Sequence, residues 1–201
     1  MPGWELEYEA AARGCRRVCG CDEAGAGPLA GRVYAAAVIL PDGLDLPGLN
    51  DSKQVPEQRR EALYDQITAL AAAWSVAWVE PKEIDEIDIL NSRIKAMQLA
   101  IDGLSPKADF ALIDGNRDHG SRYAITTAHK LAVKGDSLSM SIAAASILAK
   151  VSRDRYMREM AALYSRYEFE RHKGYPTKRH YELLREYGPC PIHRRTFLKK
   201  L

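Results

Sequence analysis

The sequence predicts an α/β fold in which helices pack on the faces of a sheet of mixed strand direction, with a helical C-terminal part. Short apolar runs bounded by turn residues alternate with longer segments whose apolar residues recur every three or four positions. Three strand-like runs come first, and two more then alternate with helices. The 201 residues, 46% of them hydrophobic, suit one domain with a sizeable core and a small appendage at most.

The strand predictions rest on short apolar runs that end at glycine, proline or aspartate. The first run ends at Asp22 and Glu23, directly before the glycine-rich turn AGAGPLAG, and the second is stopped by the turn sequence PDG. The predicted strands span residues 17–21, 32–41, 74–81, 110–114 and 123–127.

The helix predictions rest on apolar stripes and on residues that begin helices. Pro56 opens one helix, as a proline of the first turn can. Residues 139–165 predict one long helix or two consecutive ones, and Thr177 is placed to cap a final helix. The stripes consist of Leu63, Ile67 and Leu70, then Leu90, Ile94, Met97, Ile101 and Leu104, and finally Tyr181, Leu184 and Tyr187.

Charge is unevenly distributed, although the net charge is only +2. Residues 1–149 contain 15 Lys and Arg against 21 Asp and Glu, whereas residues 150–201 contain 14 against 6. This asymmetry fits a protein that gathers metal in one part and binds polyphosphate in another, and it fits a solvated basic tail equally well. No apolar run reaches the roughly 18 residues of a membrane helix, and no secretory signal is visible. We therefore expect a cytoplasmic protein without membrane contact.

Three of the four cysteines, Cys15, Cys19 and Cys21, form the spacing C-x3-C-x-C, and Cys190 lies far away. Zinc sites favour C-x2-C with further ligands, and no nearby histidine pair completes such a site here. Reduced, non-ligating thiols are the favoured interpretation, with Cys19 and Cys21 as packing residues of the first strand.

Carboxylates stand where two predicted strands end. Asp22 and Asp114 each follow an apolar run and precede glycines, at the strand ends where α/β sheets place their sites. Glu23 points to the opposite face in a regular strand, and joins Asp22 only if the glycine turn breaks the alternation. Asp136 lies between Gly135 and a helix start, where a site residue and a capping or turn residue are equally compatible with the sequence.

Clustered carboxylates need a proton or a cation. Two unit charges about 4 Å apart repel by roughly 4 kcal/mol at an effective dielectric constant near 20. Oxygen ligands favour Mg²⁺ or Mn²⁺ over zinc, and two such ions can clamp a phosphodiester, one activating water and one steadying the leaving oxygen. Aspartates at strand ends are common, so spacing alone leaves a purely structural role open.

Seven segments, in order between about residues 17 and 198, together resemble ribonuclease HII, the type 2 ribonuclease H family. Any one of them would be weak evidence, whereas the ordered set is specific. The segments are DEAGAGPLAG (22–31), LNDSK (49–53), EIDEIDILNSRIKAM (83–97), ALIDG (111–115), KGDSLSMSIAAASILAKVSRDR (134–155), YEFERHKGYPTKRH (167–180) and GPCPIHRRTF (188–197).

The resemblance implies a ribonuclease H-like mixed five-stranded sheet flanked by helices. It divides the chain into an N-terminal extension (1–16), a catalytic domain (17–165) and a basic helical C-terminal portion (166–201) packed on that domain. It implies a monomeric endonuclease that hydrolyses the RNA strand of RNA/DNA hybrids and incises at single ribonucleotides in duplex DNA. The products carry 3′-hydroxyl and 5′-phosphate ends. The catalytic, Mn²⁺- or Mg²⁺-binding residues fall on Asp22, Glu23, Asp114 and Asp136.

The resemblance also places substrate contacts. The junction-sensing tyrosine falls on Tyr175, beside Lys173, and the sugar-sensing loop falls on Gly25, Ala26 and Gly27. A ring can stack on a sugar or base, and backbone groups can recognise a 2′-hydroxyl. Basic residues in these segments are candidate phosphate contacts, with solvated surface as the alternative for most of them and phosphate contact favoured for Lys53 and Lys173. The candidates are Lys53, Lys150, Arg153, Arg155, Lys173, Lys178, His193 and Arg194.

The chain departs from the family pattern at two positions: Ala26 replaces the arginine of Gly-Arg-Gly, and Arg32 replaces a proline. We therefore predict weaker binding or a softer junction preference than the family norm. Two other functions remain open at this point. One is a nuclease or recombinase of the same fold that acts on DNA alone, and the other is a hybrid-binding protein without catalysis.

Overall fold

The structure, a computed structural model, describes residues 2–199 and contains a five-stranded mixed sheet. Met1, Lys200 and Leu201, which belong to the predicted terminal segments, lie outside the described residues. The strands are β1 (Val18–Ala24), β2 (Val33–Ile39), β3 (Ala73–Val79), β4 (Phe110–Asp114) and β5 (His129–Ala132), in the order β3-β2-β1-β4-β5. β2 is antiparallel to β1 and β3, whereas β4 is parallel to β1 and β5. The predicted mixed α/β fold is confirmed.

Helices cover both faces of the sheet and form the C-terminal part. Residues 139–165 contain one continuous helix of 24 residues rather than two. In residues 2–199 no helix is both long and apolar enough to cross a membrane. The α-helices are α1 (Glu5–Ala12), α2 (Glu57–Leu70), α3 (Pro81–Ile87), α4 (Ile89–Asp102), α5 (Met140–Leu163), α6 (Phe169–His172) and α7 (Lys178–Tyr187), with 3-10 turns at Gly135–Ser137, Ser165–Tyr167 and Arg195–Leu198.

The fifth predicted strand, at residues 123–127, is wrong in position, because the chain pairs with β4 only from His129 onward. The segment before it is bound to α4 instead. Asn91 accepts the backbone amides of Arg122 and Tyr123, and Gln98 accepts the amide of Thr126. Side-chain amides on the helix thus satisfy backbone groups that a sheet neighbour would otherwise have bound.

The two faces of β1 pack against different helices. Cys19 and Cys21, both fully buried free thiols, face the cluster that includes Ile94 and Met97 of α4. Gly20 faces α5, whose backbone approaches so closely that a Cβ at this position would collide with Ser141. The expected packing role of the β1 cysteines is consistent with this environment, and burial raises the pKa of the Cys19 thiol to about 12.

The N-terminal residues pack on the start of α5. The buried carboxylate of Glu7, in α1, accepts the Ser139 hydroxyl at 2.6 Å and the Ser141 amide at 2.9 Å. The amide of Met140 donates to the carbonyl of Gly3 at 2.9 Å, and Ser139 caps the helix through the amide of Ile142 at 3.1 Å. Residues 3–12 are therefore joined to the same helix that packs on β1 and β2.

The C-terminal residues form their own apolar cluster, which includes Tyr156 and Met157 from the end of α5. Thr177 caps α7 by accepting the amide of His180 at 3.2 Å, as predicted. The segment also contacts the loop between β1 and β2, because Ala30 forms an isolated antiparallel bridge with His193. This contact brings the chain after α7 under the glycine-rich loop, residues 25–32.

Candidate active site

Asp22 and Asp114 lie side by side at the ends of two neighbouring parallel strands. Cys21 pairs with Ile113, and the next position of each strand carries an aspartate. The Asp22 carboxylate accepts the amide of Glu23 at 2.7 Å, and the Asp114 carboxylate accepts the amide of Gly135 at 2.7 Å. One oxygen of each aspartate is thus fixed by the backbone, which leaves the other oxygen available to a ligand.

Glu23 remains within β1, since the strand continues to Ala24 and its alternation is not broken before that point. Its side chain therefore lies toward α4, where Arg93 forms an ion pair with it at 2.7 Å. Burial raises the pKa of Glu23, and the opposing charge of Arg93 limits that rise. The other carboxylate oxygen of Glu23, Oε2, is buried without a hydrogen-bond partner.

Asp136 lies in the 3-10 turn before α5 and does not cap that helix, because Ser139 does so. Burial, followed by the charges of Asp114 and Asp51, raises the pKa of Asp136 to about 6. Burial and the charges of Glu23, Asp114 and Asp136 raise the pKa of Asp22 well above its usual range. The charges of the acidic residues are close enough to raise one another's pKa values.

The acidic residues can be compared with the donors that a metal ion needs. Within residues 2–199, no three His, Cys, Asp or Glu side chains already converge closely enough to enclose a metal ion. The donor set nonetheless fits a hard divalent cation, since all donors are carboxylate oxygens. The unpartnered Oε2 of Glu23 and the raised pKa of Asp22 are the features that such a cation would relieve.

A cavity of about 220 Å³ connects Asp22 and Glu23 to the glycine-rich loop, Lys53 and Tyr175. Lys53 faces the acidic residues across it. Burial alone would lower the pKa of Lys53, but the charges of Asp51 and Asp22 outweigh burial and raise it, so the ammonium remains charged. The cavity is lined by Asp22, Glu23, Ala24, Gly25, Ala26, Gly27, Ser52, Lys53, Lys150 and Tyr175. Glu23 thus lines the same cavity as Asp22 although β1 is unbroken there, so the prediction that only a broken alternation would join the two is wrong.

The two glycines of the loop differ in their surroundings. Gly25 is buried, has a φ of +99°, and has no room for a side chain because Arg153 lies directly beneath it. Gly27 is exposed, and a Cβ there would meet nothing within 4 Å. The fold therefore requires glycine at position 25, whereas packing would allow a larger residue at position 27. The backbone of Gly27 faces free space that a ligand can enter.

Tyr175 stands at the rim of the cavity with 38% of its surface exposed. Lys150 Nζ lies 6.0 Å from the centre of its ring, and the guanidinium carbon of Arg153 lies 5.4 Å from it. The carbonyl of Tyr175 accepts Nδ1 of His180 at 2.9 Å, and Nε2 of His180 meets Nε2 of His193 at 3.0 Å. Buried imidazoles thus hold the backbone while the phenol ring remains free to stack.

A family model described as ribonuclease HII matches residues 19–200, nearly the whole chain. The chain belongs to the ribonuclease HII family. The ribonuclease HII of Caldicellulosiruptor saccharolyticus is 47% identical over 198 residues, which cover 98% of this chain and 95% of that protein.

Two solved structures resemble the chain throughout its length. The ribonuclease H2 of Pyrococcus horikoshii OT3 superposes with a TM-score of 0.74 at 27% identity, covering 90% of this chain and 93% of that one. The PCNA:RNase HII complex from Archaeoglobus fulgidus matches with a TM-score of 0.73 at 26% identity, covering 89% and 94%. The chain is accordingly a ribonuclease, a hydrolase acting on the RNA of RNA/DNA hybrids, and its ribonuclease H-like fold is confirmed.

Several predicted phosphate contacts of this ribonuclease HII are placed elsewhere by the structure. Arg153 and Arg194 are fully buried, and His193 is almost so, which excludes direct contact with a phosphate from solvent in this arrangement. Arg155 pairs with Glu61 at 2.6 Å on another part of the surface. The charged side chains of Arg153, Arg194 and Arg155 bind groups within the protein instead. Lys173 is partly buried, and its ammonium donates to the carbonyl of Glu170.

Arg32, the second departure from the family pattern, does not replace the charge absent at position 26. Its guanidinium pairs with Glu80 at 2.7 Å and lies 4.5 Å and 4.9 Å from the ring centres of Tyr156 and Trp78. The side chain is therefore part of the packing beside β3, and the position occupied by Ala26 has no local cationic substitute from Arg32.

Sequence reasoning missed two residues that shape the acidic cluster. Arg93 is the counter-ion of Glu23, and Asp51 adds negative charge beside Asp136 and Lys53. Both lie in segments that carry the resemblance, LNDSK and EIDEIDILNSRIKAM. Arg93 lies on the α4 face that meets β1, but its pairing with Glu23 depends on the unbroken alternation of β1.

Proposed function

We propose that this ribonuclease HII also incises at single ribonucleotides embedded in duplex DNA, and that it cleaves by two-metal-ion phosphodiester hydrolysis with 3′-hydroxyl and 5′-phosphate products. The observation that carries the proposal is the shared cavity, in which strand-end carboxylates, the glycine-rich loop and Tyr175 meet. A backbone phosphate bound at the carboxylate end would place a neighbouring sugar against the loop. The two functions of cutting and recognising RNA would thus act on adjacent atoms.

Asp22, Glu23, Asp114 and Asp136 would hold Mn²⁺ or Mg²⁺. Backbone amides fix one oxygen of Asp22 and one of Asp114, so the opposite oxygens are oriented before any ligand arrives. When bound, the ions supply Lewis-acid stabilisation of the charge that develops on the phosphodiester and lower the pKa of bound water.

Gly25, Ala26, Gly27 and Tyr175 would distinguish RNA from DNA. A 2′-hydroxyl can donate and accept a hydrogen bond, and a main-chain surface can offer both partners without a specific side chain. The exposed backbone at Gly27 meets this requirement, because nothing covers it. The half-exposed ring of Tyr175 provides a flat surface on which the sugar or base at the RNA–DNA junction can stack.

Lys53 and Lys173 would contact the backbone phosphates. Lys53 is the stronger candidate because its ammonium lies at the cavity beside the acidic cluster and remains charged there. Phosphate contacts of this kind release counter-ions, so substrate affinity should fall as salt concentration rises. Lys53→Met should reduce the slope of log affinity against log salt concentration by about 1, as expected for the loss of one phosphate contact.

The test is cleavage of a duplex with one embedded ribonucleotide, compared with a continuous hybrid and an all-DNA duplex. Cleavage of the first two with Mn²⁺, none with chelator, and none by Asp114→Asn are expected, with the variant still folded. Equal cutting of the all-DNA duplex would instead favour a DNA-directed nuclease of the same fold. Binding without cutting, with Mn²⁺ present, would favour a non-catalytic hybrid-binding protein.

Ala26 gives a further expectation about affinity. Arginine at this position would add a cationic contact beside the cavity, so Ala26→Arg should tighten binding of the embedded-ribonucleotide duplex and sharpen its preferred cleavage site. A gain of about 1 kcal/mol, or roughly fivefold in Kd, is expected for one added charged contact. Unchanged Kd and site preference, measured by titration and product sequencing, would contradict the idea.

A further inference from the structure

The glycine-rich loop is held from beneath by Arg194, a fully buried side chain that follows α7. Its guanidinium is surrounded by backbone carbonyl oxygens of the loop, which point toward it. It donates to the carbonyls of Gly25 at 2.7 Å, Pro28 at 2.8 Å, Gly31 at 2.9 Å, Ala26 at 3.1 Å and Arg32 at 3.2 Å.

Arg153, on α5, joins the same loop to the segment that carries the tyrosine. It donates to the carbonyls of Ala30 at 3.2 Å and Arg32 at 3.3 Å, and to that of Lys173 at 3.0 Å. The amide of Leu29 also donates to the carbonyl of Gly174 at 2.8 Å, so the loop and the tyrosine segment are tied together by more than one bond.

Burying two like charges so close together is costly. The nearest acidic residue along α5, Asp154, is paired with Lys150 at 2.7 Å and Arg60 at 3.7 Å, so it is not a dedicated counter-ion for Arg153. Burial lowers the pKa of Arg194 to about 9, which still leaves it charged at neutral pH. An unpaired buried charge costs several kcal/mol, and here carbonyl dipoles offset that cost. In return, the hydrogen bonds from the two arginines to the carbonyls fix the conformation of the glycine-rich loop.

The direction of the carbonyls sets the direction of the amides. In a trans peptide the C=O and N–H bonds point in opposite directions. The carbonyl of Gly25 points inward to Arg194, so the amide of Ala26 points outward, and the inward carbonyl of Ala26 likewise turns the amide of Gly27 outward. Among the turn and loop hydrogen bonds of residues 2–199, neither amide donates to a backbone carbonyl.

We infer that Arg194 and Arg153 are positioning residues that hold the amides of Ala26 and Gly27 toward the sugar of a ribonucleotide and fix Tyr175 relative to them. The inference deepens the proposed function and rests on it. Neither arginine touches the substrate. Selectivity for a single ribonucleotide depends on both, because a 2′-hydroxyl is recognised only where the amides and the ring stand at a fixed separation.

Lysine cannot replace either arginine in this role. A guanidinium has five N–H donors in a rigid plane, whereas an ammonium has three at one point. Arg194→Lys therefore keeps the buried charge and loses most of the carbonyl contacts. This substitution therefore distinguishes a role of Arg194 in fixing the loop geometry from a role of its charge alone. Arg158→Lys is the matched control, because Arg158 is an exposed arginine of the same helix as Arg153, paired with Glu57 and Glu61.

The experiment uses the full chain with Arg194→Lys, Arg153→Lys, Arg194→Ala and Arg158→Lys. It measures kcat/KM with Mn²⁺ on a duplex containing one ribonucleotide and on a continuous hybrid. The ratio of the two should fall about tenfold or more in the first two variants, as expected for misplacement of a recognition group by about 1 Å, and should not change in Arg158→Lys. Added methylguanidinium should restore part of the ratio in Arg194→Ala. Mn²⁺ affinity, measured by calorimetry, should equal that of the wild type.

An unchanged ratio in a folded Arg194→Lys variant overturns the inference, and so does a fall in Mn²⁺ affinity that accounts for the whole loss. If Arg194→Ala does not fold, the lysine variants decide. A wild-type chain that fails to cut at the single ribonucleotide defeats the proposed function instead. Hydrogen exchange of the Leu29 and Gly31 amides, which donate to the carbonyls of Gly174 and Ile192, then still reports on the arginines, because faster exchange in Arg194→Lys is expected whatever the substrate.

Discussion

The proposed site has two sides that are stabilised in opposite ways. We call the glycine-rich loop, residues 25–32, the recognition wall, and the four predicted acidic residues, Asp22, Glu23, Asp114 and Asp136, the acidic wall. On the recognition wall, two buried guanidiniums satisfy backbone carbonyls around the whole glycine-rich loop before any ligand arrives. On the acidic wall, Asp22 and Asp136 have raised pKa values because they are buried near other carboxylates, and Glu23 keeps an unpartnered buried oxygen. A surface that selects among substrates needs its shape in advance, whereas a metal site gains its stability from the ion it binds.

The largest expected effect comes from breaking the acidic wall. Asp22→Asn removes a proposed metal ligand and should lower kcat with Mn²⁺ by about a thousandfold or more, as expected for several kcal/mol of lost charge stabilisation. The same change removes a repelling charge, so it should raise the unfolding free energy without metal by about 1 kcal/mol. Single-turnover cleavage and urea unfolding in chelator measure the two quantities.

Asp65→Asn is the control for that change, since Asp65 is an exposed residue of α2 far from the acidic cluster. It should alter neither quantity. An Asp22→Asn variant that loses activity and is also less stable without metal would show that the acidic wall is not under electrostatic strain.

The next effect separates folding from recognition within one loop. Gly25→Ala should destabilise the protein by about 2 kcal/mol or more, because position 25 has a positive φ and lies against Arg153. Gly27→Ala should change stability by less than about 0.5 kcal/mol, because a methyl group there meets nothing. It should nevertheless reduce preference for the embedded ribonucleotide.

Thermal unfolding and the ratio of cleavage rates on the two RNA-containing substrates distinguish these glycine variants. Equal stability losses at both positions would refute the contrast. So would a Gly27→Ala variant with full selectivity.

A smaller effect should come from Arg93, the counter-ion of Glu23. Without this charge the pKa of Glu23 rises further, since Arg93 opposes the effect of burial. Arg93→Met should therefore move the acidic limb of the pH–rate profile to higher pH, and weaken Mn²⁺ binding by about tenfold. Lys95→Met, two residues along α4, removes a cation that pairs with Glu83 and should leave the profile unchanged.

The last effect concerns folding stability alone and tests the support of Tyr175. Burial lowers the pKa of His180 to about 4 and of His193 to about 3, from an ordinary value of 6.5. The unfolded chain therefore binds protons first, so stability is complete above pH 6.5 and is lost as pH falls toward 4 and then 3. Each imidazole should contribute a loss of about 2 kcal/mol between pH 7 and pH 5, roughly 4 kcal/mol for the two together.

Urea unfolding at the two pH values measures this loss. His193→Gln should be less stable at neutral pH but less sensitive to acid, whereas His119→Gln, at an exposed histidine, should follow the wild type. Equal acid sensitivity in all three proteins would contradict the assignment of the buried imidazoles.

The predicted sheet and the acidic positions followed from local pattern. Asp22 and Asp114 could be placed together because each ends an apolar run, and strand alternation fixes the face of each side chain. The fifth strand was misplaced because a tertiary contact prevents residues 122–126 from pairing in the sheet. The side-chain amides of Asn91 and Gln98 bind this segment, and a local sequence pattern does not contain that contact.

Buried charge was the main feature that sequence could not locate. Arg194 is fully buried while its neighbour Arg195 is exposed, and nothing local distinguishes a solvated arginine from one that binds carbonyls, as Arg153 and Arg194 do. The distinction arises only when the chain after α7 returns beneath residues 25–32.

The start of α5 has a consequence for how phosphate can be held. A helix of 24 residues carries a partial positive charge at its N-terminus, and its free amides form a ready anion site. Here Gly3, Glu7 and Ser139 already accept the amides of residues 140–142. The partial positive charge at the start of α5 is thus offset within the protein, in part by the carboxylate of Glu7 in α1. In the proposed function, the positive partners of the nucleic acid are therefore lysine side chains and loop amides, and RNA recognition and phosphate binding share one surface.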